Sequence, residues 1–226
     1  MKYKEIVKGI FVSRPNRFIA NVEVDGNIVV CHVKNTGRCR ELLTGGATVI
    51  LEINDAPTRK TKYDLIAVYK ENVLVNIDSQ APNKLFAEWI IGSGIFEDIT
   101  FIKAETTYEN SRFDFYIETK DRKIFAEVKG VTLEENGIAM FPDAPTLRGI
   151  KHLQELVHAR KNGYESYIFF VIQMKGCNKF VPNSITHPKF ALELAIAKNN
   201  GVNVVAVSCE VFEDNLHIDG FVPTEI

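Results

Sequence analysis

Apolar and polar residues alternate along much of the first third of the chain, which predicts short strands with two unlike faces. Asp25-Gly26 predicts a tight hairpin turn, and Asn35–Arg38 predicts another turn, followed by a short helical piece as far as Leu43. Several short strands with turns between them fit a small closed barrel such as an OB-fold, which we place at residues 1–80. The strands are predicted at residues 5–13, 18–24, 28–33, 47–53, 63–69 and 73–77.

The hydrophobic period changes after the proline-containing segment 78–83, where we place the domain boundary. Asn83 is predicted to cap a helix, and Thr146 is predicted to cap a second one. With the strands that lie between and after them, the order predicts an α/β (α+β) domain over residues 83–226. Its further elements are predicted as strands at 99–107, 112–117, 123–133, 167–174 and 202–209, a turn at 134–137, a loop at 141–145 and a helix at 188–200.

Two of these strands carry the residues that suggest chemistry. Asp114 alternates with phenylalanines, so it faces away from them, while Glu127 and Lys129 share one face because they are two residues apart on a strand. If the two strands pair as a hairpin, these three side chains meet on one patch. The alternative is that they form ordinary salt bridges on a solvated sheet face.

Two carboxylates and the Val128 carbonyl offer hard oxygen ligands, which suit Mg²⁺ or Mn²⁺. A metal held by Asp114, Glu127 and Val128 would lower the pKa of a bound water and stabilise the transition state of phosphodiester cleavage. Lys129 would orient the attacking water or stabilise the developing charge. Glu88, in the helix after the boundary, is predicted to support the site, with a solvated helix face as the alternative.

Composition narrows the class of protein. The 226 residues contain 46% hydrophobic and 25% charged residues, as in a globular protein. Because apolar runs stay below membrane-spanning length and the N-terminus lacks a signal-peptide core, we expect no membrane association and a cytoplasmic location. The four cysteines have no metal-type spacing, so we expect reduced thiols.

Charge is unevenly distributed and suggests a polyanionic partner. Residues 1–84 carry 13 Lys and Arg against 9 Asp and Glu, a net of +4, whereas residues 85–226 carry 14 against 20, a net of −6. An OB-fold often binds single-stranded nucleic acid through a basic groove with aromatic platforms. The alternatives are solubilising surface charge and, for the aromatic residue, burial in the core. The predicted nucleic-acid contacts are Arg14, Arg17, Phe18, Arg38, Arg40, Arg112, Arg148 and Lys151.

The order of elements and the placement of the acids resemble the PD-(D/E)xK restriction-endonuclease core. Further motifs lie at residues 35–38, Asn83 with Glu88, 111–115, 127–133, 141–149 and 151–153. With these motifs the chain resembles, along nearly its whole length, the sugar fermentation stimulation protein family. The resemblance implies an OB-like domain followed by a nuclease-like domain, DNA binding and regulation of sugar metabolism. It also places Asp114, Glu127 and Lys129 on the nuclease triad and Glu88 on its helix acid.

Three hypotheses for the function follow. The first is a Mg²⁺- or Mn²⁺-dependent nuclease that binds DNA, including single strands through the barrel, with little sequence preference. The second is a non-catalytic DNA-binding regulator of sugar fermentation genes that retains the nuclease-like fold. The third is an interaction module in which the carboxylates are structural. Assembly into a homodimer is left open.

Overall fold

A closed β-barrel forms the first part of the computed structural model, which describes residues 1–35 and 37–226. Thr36, in the predicted turn at 35–38, lies outside the described residues. The strands form a sheet in the order β3-β2-β1-β4-β5-β6, and a parallel β3–β5 pairing closes it, so the predicted OB-like barrel is confirmed. The strands are β1 (Ile6–Asn16), β2 (Ile19–Val24), β3 (Asn27–Val33), β4 (Thr48–Ile53), β5 (Tyr63–Lys70) and β6 (Val73–Asn76).

The sequence correctly predicts the turn at Asp25-Gly26 but not the conformation of the chain before Leu43. Asp25 and Gly26 have φ angles of 48° and 75°, so both occupy the left-handed region that a tight hairpin turn requires. The helical piece predicted to reach Leu43 is wrong. Only a single turn forms there, closed by a 2.9 Å hydrogen bond from the Leu43 N–H to the Cys39 carbonyl. Cys39 is buried with a φ of 44°, a conformation that a right-handed helix does not accept.

The second domain is an α/β domain with helices on both faces of a sheet ordered β15-β14-β12-β9-β8-β7. Helix α1 packs on one face, while α2 and α3 pack on the other. Strand β12 is parallel to β9 and to β14, as crossover connections through helices require. The elements are α1 (Ala81–Ile90), β7 (Phe101–Tyr108), β8 (Ser111–Glu118), β9 (Lys123–Val131), β10 (Leu133–Glu135), β11 (Ile138–Phe141), α2 (Leu147–Lys161), β12 (Glu165–Ile172), β13 (Lys179–Pro182), α3 (Pro188–Asn199), β14 (Asn203–Val211) and β15 (Leu216–Val222).

Four strands of this domain were not predicted from the sequence. The turn predicted at 134–137 is the tip of the hairpin β10–β11, which joins β13 in a small three-stranded sheet. Strands of three or four residues hold too few side chains to show a period. The edge strand β15 was also missed, although its residues alternate between buried and exposed.

Helix α1 begins earlier than predicted. Gln80 is its N-cap residue and Pro82 lies in its first turn, where the missing proline N–H costs no helical hydrogen bond. Asn83 is therefore inside the helix, and its side chain is free to make a contact elsewhere. The cap predicted at Thr146 is confirmed, because its hydroxyl accepts a 3.0 Å hydrogen bond from the Gly149 N–H.

The barrel and the α/β domain keep separate main sheets but share apolar packing. Each of the two core clusters contains residues from both domains. A buried polar network also crosses the boundary: the Gln173 amide donates to the Asn76 side chain at 2.9 Å and to the Asp78 carbonyl at 3.0 Å. Tyr3 accepts from the Asn76 amide at 2.8 Å and donates to Asp78 at 3.3 Å. These contacts hold the domains in one orientation.

Two further observations concern the environment of the chain. Cys31, Cys39, Cys177 and Cys209 are all free thiols. In the part of the chain that the structure describes, no helix is both long and apolar enough to cross a membrane.

The boundary network makes a prediction for stability. Gln173→Ala leaves buried acceptors on Asn76 and Asp78 without their donor, which typically costs about 1–3 kcal/mol. We expect that decrease in the free energy of unfolding, measured by urea denaturation. Gln154→Ala, on the exposed face of α2, serves as the control and should change stability by less than about 0.5 kcal/mol. Equal effects of the two substitutions would contradict a role for this network.

Candidate active site

The site lies where β8 and β9 diverge. Their antiparallel pairing runs from Glu118↔Lys123 to Phe115↔Ala126, and Asp114 is the next residue on β8. Beyond this point the backbone N–H groups of β9 that face β8 no longer have a backbone acceptor on β8 and need another acceptor. The Asp114 carboxylate provides it, because Oδ2 accepts a 2.8 Å hydrogen bond from the Val128 N–H.

Helix α1 fixes the other oxygen of Asp114. The Asn83 amide donates to Oδ1 at 3.1 Å, so the helix start is held against the diverging strands. This approach depends on Gly130 in β9, since a Cβ atom there would lie 2.8 Å from Cγ of Pro82. A side chain at position 130 would therefore push α1 away from the site.

Glu127 lies deeper, on the face of the sheet that α2 covers. Its side chain is buried and forms an ion pair through Oε1 with Lys129, as i and i+2 residues on one strand face allow. His152 of α2 contacts the same oxygen through Nδ1. The Lys129 ammonium is also 3.3 Å from this ring nitrogen. One oxygen of the carboxylate is thus contacted by two cationic or donor groups.

The second oxygen of Glu127 is unusual. Oε2 is buried and has no hydrogen-bond partner among residues 1–35 and 37–226. Most buried polar atoms have a partner, so this carboxylate oxygen retains the capacity to accept one. Asp114 has one protein donor on each of its oxygens, and a carboxylate has about four acceptor positions, so acceptor capacity remains there too.

The pKa values of the two acids shift in opposite directions. Burial raises the pKa of Asp114, and the negative charge of Glu127 raises it further. Burial also acts to raise the pKa of Glu127, but Lys129 and His152 together outweigh it and leave the pKa lowered. Glu127 is therefore a stable carboxylate, whereas at Asp114 the positive charge of Lys129 and two hydrogen bonds offset burial and the charge of Glu127 only in part.

The prediction that Glu88 supports this site is wrong. Its side chain is exposed and its Oε2 accepts a 2.7 Å hydrogen bond from the Met1 amino group, while Asn83 is the α1 residue that touches Asp114. Five residues of helix turn one side chain by about 140° from another, so Asn83 and Glu88 face different directions. The structure thus brings together Asp114, Glu127 and Lys129, and places Glu88 elsewhere.

The barrel offers a concave surface at its loops. A cavity of about 440 Å³ is lined by Phe18 from the β1–β2 loop, His32 from β3 and Arg59 from the β4–β5 loop. Loops at these positions bind oligonucleotides in OB-folds. Phe18 is 48% exposed with the Arg17 guanidinium 5.4 Å from its ring centre, so the alternative that this residue belongs to the core is wrong.

The predicted basic contacts divide into three groups. Arg17, Arg38 and Arg40 are exposed on the barrel loops. Arg14 instead donates to three backbone carbonyls, those of residues 17, 35 and 38, at 2.7–2.8 Å, so its guanidinium organises the loops and is not presented to a ligand. In the second domain the predicted basic residues are exposed, and each has a local contact: Arg112 with Glu105, Arg148 with His152, and Lys151 with the Asn110 carbonyl.

Sequence reasoning missed three residues of these surfaces. His152 was not predicted as a site residue, and only its position four residues after Arg148 hints at a shared helix face. Asn83 was assigned to a helix cap. Arg59 lies in a basic loop at 54–62 whose charge could have been noticed, because loops between barrel strands carry ligand contacts.

Fold and site together define a two-domain protein in which an OB-like barrel precedes an α/β domain with an acid–lysine cluster on its central strands. The family model described as "SfsA N-terminal OB domain" matches residues 12–77, and "Sugar fermentation stimulation protein RE domain" matches residues 80–215. The chain belongs to the sugar fermentation stimulation protein family.

Relatives and one solved structure agree with this assignment. A sugar fermentation stimulation protein homolog of Clostridium beijerinckii is 59% identical over 98% of this chain and 98% of its own. One of Desulfitobacterium hafniense is 57% identical over 100% and 99%. The Pyrococcus furiosus SfsA structure in complex with Ca²⁺ is 29% identical, with a TM-score of 0.92 covering 100% of this chain and 98% of that one.

The raised pKa of Asp114 makes a prediction for stability. Because the folded pKa of Asp114 lies above its unfolded value, the neutral carboxyl favours folding below the unfolded pKa. This contribution to stability is lost as the pH rises through the folded pKa and the carboxyl ionises. Asp114→Asn in metal-free buffer should therefore raise the melting temperature by a few degrees near about pH 7, and by less as the pH falls toward about 4. Calorimetry checks this, with exposed Asp98→Asn as the control. A lower melting temperature at neutral pH would contradict it.

Proposed function

We propose that this protein is a divalent-metal-dependent nuclease that cleaves phosphodiester bonds in DNA. The observation that carries the proposal is the buried Glu127 carboxylate, whose Oε2 has no partner in the described part of the chain. Asp114 lies close enough for the charge of Glu127 to raise its pKa, and Lys129 contacts Glu127 directly. A purely structural salt bridge has no need of an unpartnered buried oxygen.

The residues present suit Mg²⁺ or Mn²⁺. Asp114 and Glu127 would hold the ion, together with the Val128 carbonyl. In an extended strand the N–H and C=O of one residue point to the same side, so the Val128 carbonyl faces the open edge toward which its N–H reaches Asp114. The Pyrococcus furiosus SfsA structure is a complex with Ca²⁺, and this supports the proposal of a hard divalent cation here. Bound there, the ion would supply Lewis-acid stabilisation and a more acidic water.

The chain itself supplies positioning and charge. Asn83 and the Val128 N–H hold the Asp114 carboxylate in one orientation, so it does not have to reorganise when substrate arrives. The Lys129 side chain is 16% exposed, which lets its ammonium reach a water or a phosphate oxygen at the surface of the site. It would orient the attacking water or stabilise charge on the phosphate.

The barrel loops are the proposed DNA-binding surface. Phe18 offers an exposed aromatic face for a base, with Arg17 over its ring and Arg59 in the wall of the same cavity. Arg38 and Arg40 are exposed on the loop that Arg14 connects to Arg17. Contacts of these arginines with phosphates would carry no sequence information, which fits binding with little sequence preference. Arg112, Arg148 and Lys151 would contact the backbone nearer the acids.

A second candidate function is a DNA-binding regulator of sugar metabolism without catalysis. One observation favours it: the Lys129 ammonium already balances the charge of Glu127 and His152 contacts the same oxygen, so the carboxylate is stable without a metal. The names of the relatives, which refer to stimulation of sugar fermentation, fit this role as well. Cleavage assays separate the two functions.

Cleavage should depend on the acid–lysine cluster. Asp114→Asn and Lys129→Ala should each lower plasmid nicking in Mg²⁺ or Mn²⁺ by about 100-fold or more, as expected when an electrostatic group of the transition state is removed. Chelator should stop the wild-type reaction, and DNA binding should remain. Glu88→Gln is the matched control, and its activity should equal that of wild type. Absence of cleavage by wild type over a panel of DNA and RNA substrates would exclude the nuclease function.

Binding should depend on the barrel loops and on salt. Replacing Arg17 and Arg38 by alanine should weaken binding to all DNA sequences alike and reduce the slope of log K against log salt by about 1 for each phosphate that is no longer neutralised. Phe18→Ala should weaken single-strand binding by about 1–3 kcal/mol and leave the slope unchanged. Fluorescence anisotropy at several salt concentrations measures both.

Exposed Lys198→Ala, on α3, is the control. Unchanged affinity in the loop variants would place the DNA elsewhere.

A further inference from the structure

The two oxygens of the Glu127 carboxylate differ in their surroundings. Oε1 is contacted by both the Lys129 ammonium and Nδ1 of His152. Oε2 is buried and, within the residues that the structure describes, accepts no hydrogen bond. The carboxylate is therefore fixed through one oxygen and presents the other.

His152 is well suited to hold Oε1. Its side chain is 6% exposed, and the α2 helix that carries it starts at a fixed place because the Thr146 hydroxyl caps it. Nδ1 faces a carboxylate oxygen, so it must carry the ring proton for this contact to be a hydrogen bond. Nε2 then accepts from Nε of Arg148, which lies 3.4 Å away. The ring is held from both sides.

Lys129 is less suited to this task. It lies on the same strand as the acid, and its long flexible side chain reaches the surface of the site. If its ammonium turns toward a water or a phosphate, as the proposed function requires, Glu127 no longer has this partner. His152 comes from a different element and has no such second task, so it keeps Oε1 occupied throughout.

We propose that His152 is a positioning residue that makes Glu127 a one-oxygen ligand, through Oε2, for a divalent cation. The inference rests on the metal site of the proposed function. With Oε1 occupied, the carboxylate cannot bind a cation through both oxygens, a mode that Ca²⁺ accepts readily. Mg²⁺ and Mn²⁺ take single oxygens in octahedral geometry. His152 thus favours the smaller cations over Ca²⁺.

The test is titration calorimetry of the full chain with MnCl₂ and with CaCl₂. His152→Ala should lower Mn²⁺ affinity about 10–100-fold, the usual effect of removing a group that orients a metal ligand. Ca²⁺ affinity should fall less, because the freed Oε1 lets Glu127 bind through both oxygens. The ratio of Mn²⁺ to Ca²⁺ affinity is the readout that loss of structure alone would not shift.

Two further variants keep the test decisive if His152→Ala unfolds. The amide nitrogen of Asn occupies the place of Nδ1, whereas that of Gln occupies the place of Nε2. His152→Asn should therefore restore both Mn²⁺ affinity and the ratio, and His152→Gln should not. Gln154→Ala, at an exposed position on the same helix, is the matched control and should behave as wild type.

The outcomes separate this inference from the proposed function. Unchanged affinities, or equal decreases for both cations in His152→Ala, overturn the positioning role while leaving a metal-dependent nuclease intact. The expected ratio change in a protein that cleaves no nucleic acid supports the positioning role and excludes the nuclease. If wild type binds neither cation, both are wrong.

Discussion

The buried negative charge of Glu127 is the constraint on which the second domain depends. Moving a carboxylate out of water costs several kcal/mol even after the protein relaxes, so a central strand tolerates one only with close partners. Lys129 can reach it from the same strand, but His152 reaches it only because α2 packs across that face of the sheet. The position of α2 and the ionisation of Glu127 therefore support each other.

The divergence of β8 from β9 gives the site its second acid. Sheet pairing satisfies backbone groups in pairs, so a diverging strand leaves donors that need other acceptors. Asp114 fills this need with its side chain, which brings its carboxylate to the open edge beside the Val128 backbone. One acid is thus stabilised by its neighbours, while the other is destabilised by burial and by the first. Two neighbouring acids whose pKa values are shifted in opposite directions are typical of functional sites.

The position of the barrel relative to this site is set by packing. Both apolar clusters and the Asn76–Gln173 hydrogen bond cross the boundary, so the two domains keep a fixed orientation relative to each other. The cavity at the barrel loops and a second cavity, which extends to residues just after Lys129, share Asn35 and Ser79 in their walls. A ligand on the barrel therefore lies at a defined distance from the acids.

The sequence by itself determined the barrel, the α/β class and the meeting of Asp114, Glu127 and Lys129, because period-two and helical patterns and strand-face geometry are local properties. It could not reveal the very short strands β10, β11 and β13, which are held by their neighbours and not by a pattern of their own. Tertiary structure alone decided the roles of four residues. Because of its position around α1, Glu88 points away from the site, whereas Asn83 contacts Asp114 and His152 contacts Glu127. Arg14 instead donates hydrogen bonds to backbone carbonyls of the barrel loops. Which partner a polar side chain finds depends on distant segments meeting in space, and no local pattern contains that information.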